Sequence, residues 1–120
     1  MKYLWTTLQV KDMERSLAFY KDLLGLPLNR RFSTGPNSEI CFLGEGETQL
    51  ELICNTEAKI ERRLEGISIG FQIDSVDRKM SYFIEKGIGI HSGPFKPNEH
   101  VEFFYIMDPD GLKVQFVMNS

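Results

Sequence analysis

A chain of 120 residues that repeats itself at a spacing of about half its length has few folds open to it. Shifting the sequence by 63 positions lays LQVKDMERSLAFYKDLLG (Leu8 to Gly25) over FQIDSVDRKMSYFIEKG (Phe71 to Gly87), with one residue deleted near the end. A shift of 64 lays TQLELICN (Thr48 to Asn55) over LKVQFVMN (Leu112 to Asn119). Two blocks at consistent offsets point to a duplicated unit rather than to chance. With 42% hydrophobic and 26% charged residues the chain suits a compact fold, yet it is too short for two independent cores of ordinary size. One domain over residues 1–120 is therefore expected, with module one at 1–55, a polar linker at 56–65 and module two at 66–120.

Each first block reads as a strand, an acidic cap, an amphipathic helix and a glycine stop. Met13, Leu17, Tyr20 and Leu24 follow helical spacing, and Val76, Met80, Phe83 and Ile84 nearly repeat it. Asp12, and Asp74 or Ser75, suit the free N–H groups at the helix starts, while Gly25 and Gly87 suit the left-handed ends. Before each last strand, GEGE (Gly44 to Glu47) and DPDG (Asp108 to Gly111) are tight-turn sequences. Predicted strands run from Tyr3 to Val10, Leu28 to Ser33, Glu39 to Leu43 and Thr48 to Cys54. In module two they run from Ile67 to Asp74, Ile88 to Ser92, Val101 to Met107 and Leu112 to Met118. The predicted class is α+β, with tandem βαβββ modules.

Strand residues alternate sides, so parity separates a helix-covered face from an open one. Leu4, Leu8, Val10, Leu50, Leu52, Cys54, Ile67, Ile69, Phe71, Ile73, Val114, Phe116 and Met118 share the apolar side. The opposite parity carries Trp5, Thr7, Gln9, Gln49, Glu51, Ser68, Gly70, Gln72, Lys113 and Gln115. Such a face is either plainly wet or, if the sheets curl, the concave wall of a ligand site. The repeat register matches Trp5 with Ser68 and Glu51 with Gln115, so these four positions define the expected centre.

Several function classes fall away on composition. A net charge of −3 lacks the clustered cationic excess that nucleic-acid binding needs. No stretch approaches a transmembrane span, and MKYLWTTLQVKD has no signal-peptide core. Cys41 and Cys54 form neither a CxxC pair nor a His-spaced set, so a reduced cytoplasmic protein is expected.

LQVKDMERSLAFYKDLLGL near the start, DPDGLKVQFV near the end and the tandem module together resemble the vicinal oxygen chelate superfamily. It includes glyoxalase I (lactoylglutathione lyase), bleomycin- and fosfomycin-resistance proteins, methylmalonyl-CoA epimerase and extradiol dioxygenases. The resemblance implies paired βαβββ modules forming a curved, barrel-like cup, often with a divalent metal at its base and often in a homodimer. It places the metal-binding positions of glyoxalase I-like members on Trp5, Glu51, Ser68 and Gln115. Only Glu51 is a strong match there, with Gln115 as a weak second ligand, whereas a catalytic metal of this kind ordinarily needs about three His, Asp or Glu ligands. The leading expectation is therefore a protein that takes no cofactor and sequesters a small organic molecule. In it Trp5 stacks on the ligand while Gln49, Glu51, Ser68, Gln72, Lys113 and Gln115 supply polar contacts. The rival is a glyoxalase- or epimerase-type enzyme, with Glu51 as proton shuttle and either a divalent metal or Lys113 as electrophile. A third class, a dimeric interaction module without a ligand, would leave the cup's polar groups without partners.

The remaining candidates read as structural. His91 and His100 are expected at the surface, and Arg30, Arg31, Lys59, Arg62 and Arg63 as solvated edge and linker charges. Cys54 falls on the apolar face. Trp5, Phe42, Phe103, Phe104 and Tyr105 are stacking candidates. If the DPDG turn pairs Met107 with Leu112, Phe104 lies opposite Gln115 and His100 shares its face; a bulge puts Phe103 there instead.

Overall fold

The computed structural model describes residues 1–59 and 64–119, and the chain divides into two compact units, Met1–Arg62 and Arg63–Ser120. In the first unit β1 (Trp5–Gln9) leads into helix α1 (Met13–Leu17), which runs on as a π-helical segment over Ala18–Leu23. Strands β2 (Leu28–Gly35), β3 (Ser38–Leu43) and β4 (Gln49–Asn55) follow, and the sheet order is β1-β4-β3-β2. The second unit repeats the plan with β5 (Ser68–Gln72), α2 (Val76–Glu85), β6 (Ser92–Asn98), β7 (Val101–Met107) and β8 (Lys113–Asn119), in the order β5-β8-β7-β6. In both units the first strand pairs in parallel with the last, and the other pairs are antiparallel. The strands thus hydrogen-bond as two separate four-stranded sheets, not as one closed barrel. Among the described residues no helix is long and apolar enough to cross a membrane.

Both helix starts and both stops follow from side-chain chemistry. The Asp12 carboxylate accepts the Arg15 N–H at 3.2 Å, and of the two candidates in module two it is Ser75 whose hydroxyl accepts the Arg78 N–H, also at 3.2 Å. Each satisfies a donor that the first helical turn leaves free. Gly25 and Gly87, with φ of 79° and 77°, take the left-handed conformation after the last turn. The widened turn over Ala18–Leu23 departs from the 3.6-residue period. It lets consecutive Phe19 and Tyr20 both enter the core, edge to face with ring centroids 4.8 Å apart.

Each unit has its own core beneath its helix. Leu8, Val10, Leu17, Tyr20, Leu50 and Leu52 are buried in the first, and Val76, Phe83, Phe104, Ile106, Val114 and Phe116 in the second. Phe83 stands 4.9 Å from the Phe116 ring and 6.0 Å from Phe104, and truncating such a ring costs about 3–5 kcal/mol. Strand alternation therefore separates the faces as expected, with two exceptions. Leu4 and Ile67 are exposed because each sits just before its strand begins, outside the ladder that fixes parity. Ile84, expected on the buried stripe of α2, is 60% exposed, since Phe83 occupies the sheet-facing position at that turn.

The sixth strand also lies elsewhere than expected. Residues 88–91 are not a strand: the Ile88 N–H closes the helix end on the Phe83 carbonyl, and the ladder to β7 opens with the His91 N–H on the Tyr105 carbonyl. The strand itself is SGPFKPN, whose two prolines argue for a loop in the sequence. They are tolerated because β6 is an edge strand, where a missing N–H need not break a ladder on both sides. Gly93 permits its close approach, since a Cβ there would lie 2.9 Å from that of Phe104.

Candidate functional site

The strand registers line up one row of side chains across the face of each sheet that lies away from its helix. In the first unit the row is Thr7, Glu51, Phe42 and Arg30, read across β1, β4, β3 and β2. In the second it is Gly70, Gln115, Tyr105 and Ser92 across β5, β8, β7 and β6. Glu51 and Gln115, like Phe42 and Tyr105, hold matched places in the two modules.

Glu51 is only 9% exposed, although it lies on the polar face. The Thr7 hydroxyl donates to its Oε1 at 2.5 Å, and among the described residues no other side chain hydrogen-bonds the carboxylate. An ionised carboxylate offers about four lone-pair positions, so most of its accepting capacity is unused by the protein. Beside it, Trp5 meets Phe42 edge to face at 5.3 Å and remains 44% exposed, so one side of the indole is open. Phe32 stacks on Phe42 at 6.4 Å, and the Arg30 guanidinium lies 5.0 Å over the Phe32 ring and 5.3 Å over Phe42. Arg30 is therefore not a plain solvated edge charge but the cation over an aromatic pair. Gln49 pairs with Trp5 across the ladder, and its Oε1 accepts from Asn29 Nδ2 at 3.2 Å.

In the second unit the Gln115 amide donates to the Tyr105 hydroxyl at 3.1 Å, and Lys113 Nζ stands 4.3 Å over the Tyr105 ring. Phe95 and Phe103 lie 5.4 Å apart and complete an aromatic cluster with Tyr105. Ser68 is exposed and pairs with Lys113. Gln72 ends β5 and lines a surface hollow of about 390 Å³ with Asp74, Ser75, Arg78 and Tyr82.

The pairing opposite Gln115 corrects both alternatives read from the sequence. The DPDG turn spans one residue more than assumed, because Asp108 Oδ1 accepts the N–H groups of Asp110 and Leu112 at 2.9 Å each, so Met107 pairs with Lys113. Tyr105 therefore faces Gln115, while Phe104 turns into the core and Phe103 pairs with Val117. His100 is exposed in the turn before β7 and does not join this row; His91 is exposed as well. Arg31 instead lies on the helix side, bonding Glu39 at 3.0 and 3.1 Å and Glu14 at 2.6 Å. Glu39 and Glu14 hold its guanidinium still more firmly in the charged form. Cys54 is buried and donates to the Lys11 carbonyl, Lys59 is exposed, and Arg62 and Arg63 fall outside the described residues.

Thr7 was not named as a site residue from the sequence, Arg30 was read there as an edge charge, and Tyr105 only as one of several stacking candidates. Parity already put Thr7 on the right face; what was missing was the parallel register that sets it level with Glu51. Among the described residues no three His, Cys, Asp or Glu side chains gather as a metal cluster would.

The Glyoxalase/Bleomycin resistance protein/Dioxygenase superfamily profile matches residues 2–116. A lactoylglutathione lyase of Haemophilus influenzae is 31% identical over the whole of this chain and 94% of its own length. Among solved structures, the trypanothione-dependent glyoxalase I of Leishmania major superposes with a TM-score of 0.82 at 23% identity, covering 99% of this chain and 86% of that one. TnmS3, an antibiotic binding protein from a Streptomyces species, superposes with a TM-score of 0.78 at 20% identity, covering 100% and 97%. At these identities the two structures speak for the fold alone.

Proposed function

Because the chain belongs to the Glyoxalase/Bleomycin resistance protein/Dioxygenase superfamily, we propose that it binds a small organic molecule on the open, polar side of its sheets, without the full divalent-metal site of its catalytic relatives. The observation that carries this reading is the Glu51 carboxylate. A buried acceptor with one side-chain partner among the described residues, set beside the open side of Trp5, is satisfied when a ligand brings donors to it. In this reading Trp5 stacks on the ligand, and Gln49, Ser68, Gln72, Lys113 and Gln115 contribute polar contacts. The residues at the four metal positions do not fit a divalent ion: a carboxylate and a neutral amide are joined by an indole, which has no donor atom, and by a neutral hydroxyl. Free, buried Cys41 and Cys54 suit a reduced cytoplasmic setting, and a homodimer is part of the same proposal.

One observation favours a second reading, an enzyme of the lactoylglutathione lyase or epimerase type. The full-length similarity to a lactoylglutathione lyase accompanies a carboxylate, Glu51, at the place from which a proton would be moved between adjacent carbons. Thr7 would orient that carboxylate through its hydrogen bond. Elemental analysis after incubation with nickel, zinc, manganese and iron separates the readings. The first predicts no stoichiometric metal that survives a chelator, and such metal would overturn it. Turnover of a hemithioacetal that disappears in Glu51→Gln would establish the second.

A further inference from the structure

The open face of the second module differs from that of the first at its centre. Where the first has the Glu51 carboxylate, the second has the neutral amide of Gln115, and no acidic side chain stands in the row Gly70, Gln115, Tyr105, Ser92. Lys113 lies beside that row. Its ammonium rests on the Tyr105 ring at 4.3 Å, and among the described residues no carboxylate pairs with it. Among the described residues Lys113 is thus half-buried and without a counter-ion, a place that an anion can fill.

The neighbouring groups suit an anion as well. Gly70 has no side chain, and the Gln115 Oε1 occupies the space above it, 3.0 Å from where a Cβ would stand. That placement turns the amide nitrogen towards Tyr105, whose hydroxyl oxygen it bonds at 3.1 Å. With its oxygen accepting from Gln115, the Tyr105 O–H is left to donate outward. Phe95 and Phe103, 5.4 Å apart, give an apolar flank beside these donors.

Resting on the binding reading above, we infer that this face is a subsite for the acidic group of a planar aromatic ligand, its carboxylate held by Lys113 Nζ and the Tyr105 hydroxyl while its ring lies against Phe95 and Phe103. An oxyanion there gains two donors, one of them charged. An uncharged amide can still accept from both donors through its carbonyl oxygen, but it forgoes the ion pair with Lys113 Nζ.

The test titrates the full ¹⁵N-labelled chain with benzoate and, separately, with benzamide, reading backbone amide shifts. Benzoate should give saturable shifts at Tyr105, Lys113 and Gln115, with an affinity about tenfold above that of benzamide, the scale of one charge-assisted hydrogen bond. The preference should fall to near unity in Lys113→Met and shrink in Tyr105→Phe, a variant that keeps the ring and its packing. Equal affinity for the two probes, or a preference untouched by both substitutions, overturns the acid subsite and leaves aromatic binding standing. Absence of benzoate shifts at these three residues overturns the subsite outright, and shifts from both probes confined to the first module's face would leave only the broader binding reading.

Discussion

Cys41 is fully buried on β3, and burial pushes its thiol up from the ordinary value. A folded state that disfavours the thiolate keeps its full stability below the unfolded thiol's pKa of about 8.5, and loses it as pH rises through that value towards the higher folded one. Denaturant midpoints of the wild type and Cys41→Val should therefore converge or cross in the wild type's disfavour between about pH 7 and pH 10. Parallel profiles would show that the thiol is not ionising on unfolding. Cysteine burial was readable only for Cys54, whose strand parity was clear. Parity placed Trp5, Glu51 and Gln115 on the open faces because it depends on a strand's own sequence. It could not set Thr7 level with Glu51 or Tyr105 opposite Gln115, because which residue stands level with which depends on hydrogen bonds between strands, and for Tyr105 on how Asp108 folds its turn.

Among the elements, β6 and β5 each contain a glycine whose replacement separates fold from site. Gly93, at φ 105°, faces the Phe104 Cβ at 2.9 Å and its Cα at 3.0 Å, so Gly93→Ala combines backbone strain with a clash against a fixed core strand. It should lower stability by about 1–3 kcal/mol in chemical denaturation. Gly70→Ala meets only the far end of the Gln115 side chain, at 3.0 Å. Its stability should change by less than about 1 kcal/mol while the Gln115 to Tyr105 hydrogen bond is lost, visible as shifted Tyr105 resonances. A reversed order of the two stability losses would contradict the packing described for β6. Helix existence, caps and stops were legible in the sequence because they are local: one oxygen, one N–H, one glycine. The π-helical segment and the proline-bearing edge strand were not, since both answer to what lies beside them in the sheet rather than to their own period or propensity.

For the whole molecule, the duplication gave the order of elements in each module, and the structure adds the matched registers Thr7 with Glu51 and Gly70 with Gln115. Units of about 60 residues bury too little apolar surface to be comfortably stable alone, so residues 1–62 or 63–120 expressed separately should show far-UV signals and midpoints well below those of the full chain. A half-chain as stable as the whole would mean two independent domains instead of one. If the open faces bind a small organic molecule without metal, Trp5, the sole tryptophan, reports on it directly. Fluorescence titration of chelator-treated protein against aromatic and dicarbonyl compounds should give saturable quenching for at least one class, weakened about tenfold or more in Glu51→Gln. A flat response across the panel, or quenching that appears only after a divalent metal is added, would contradict it.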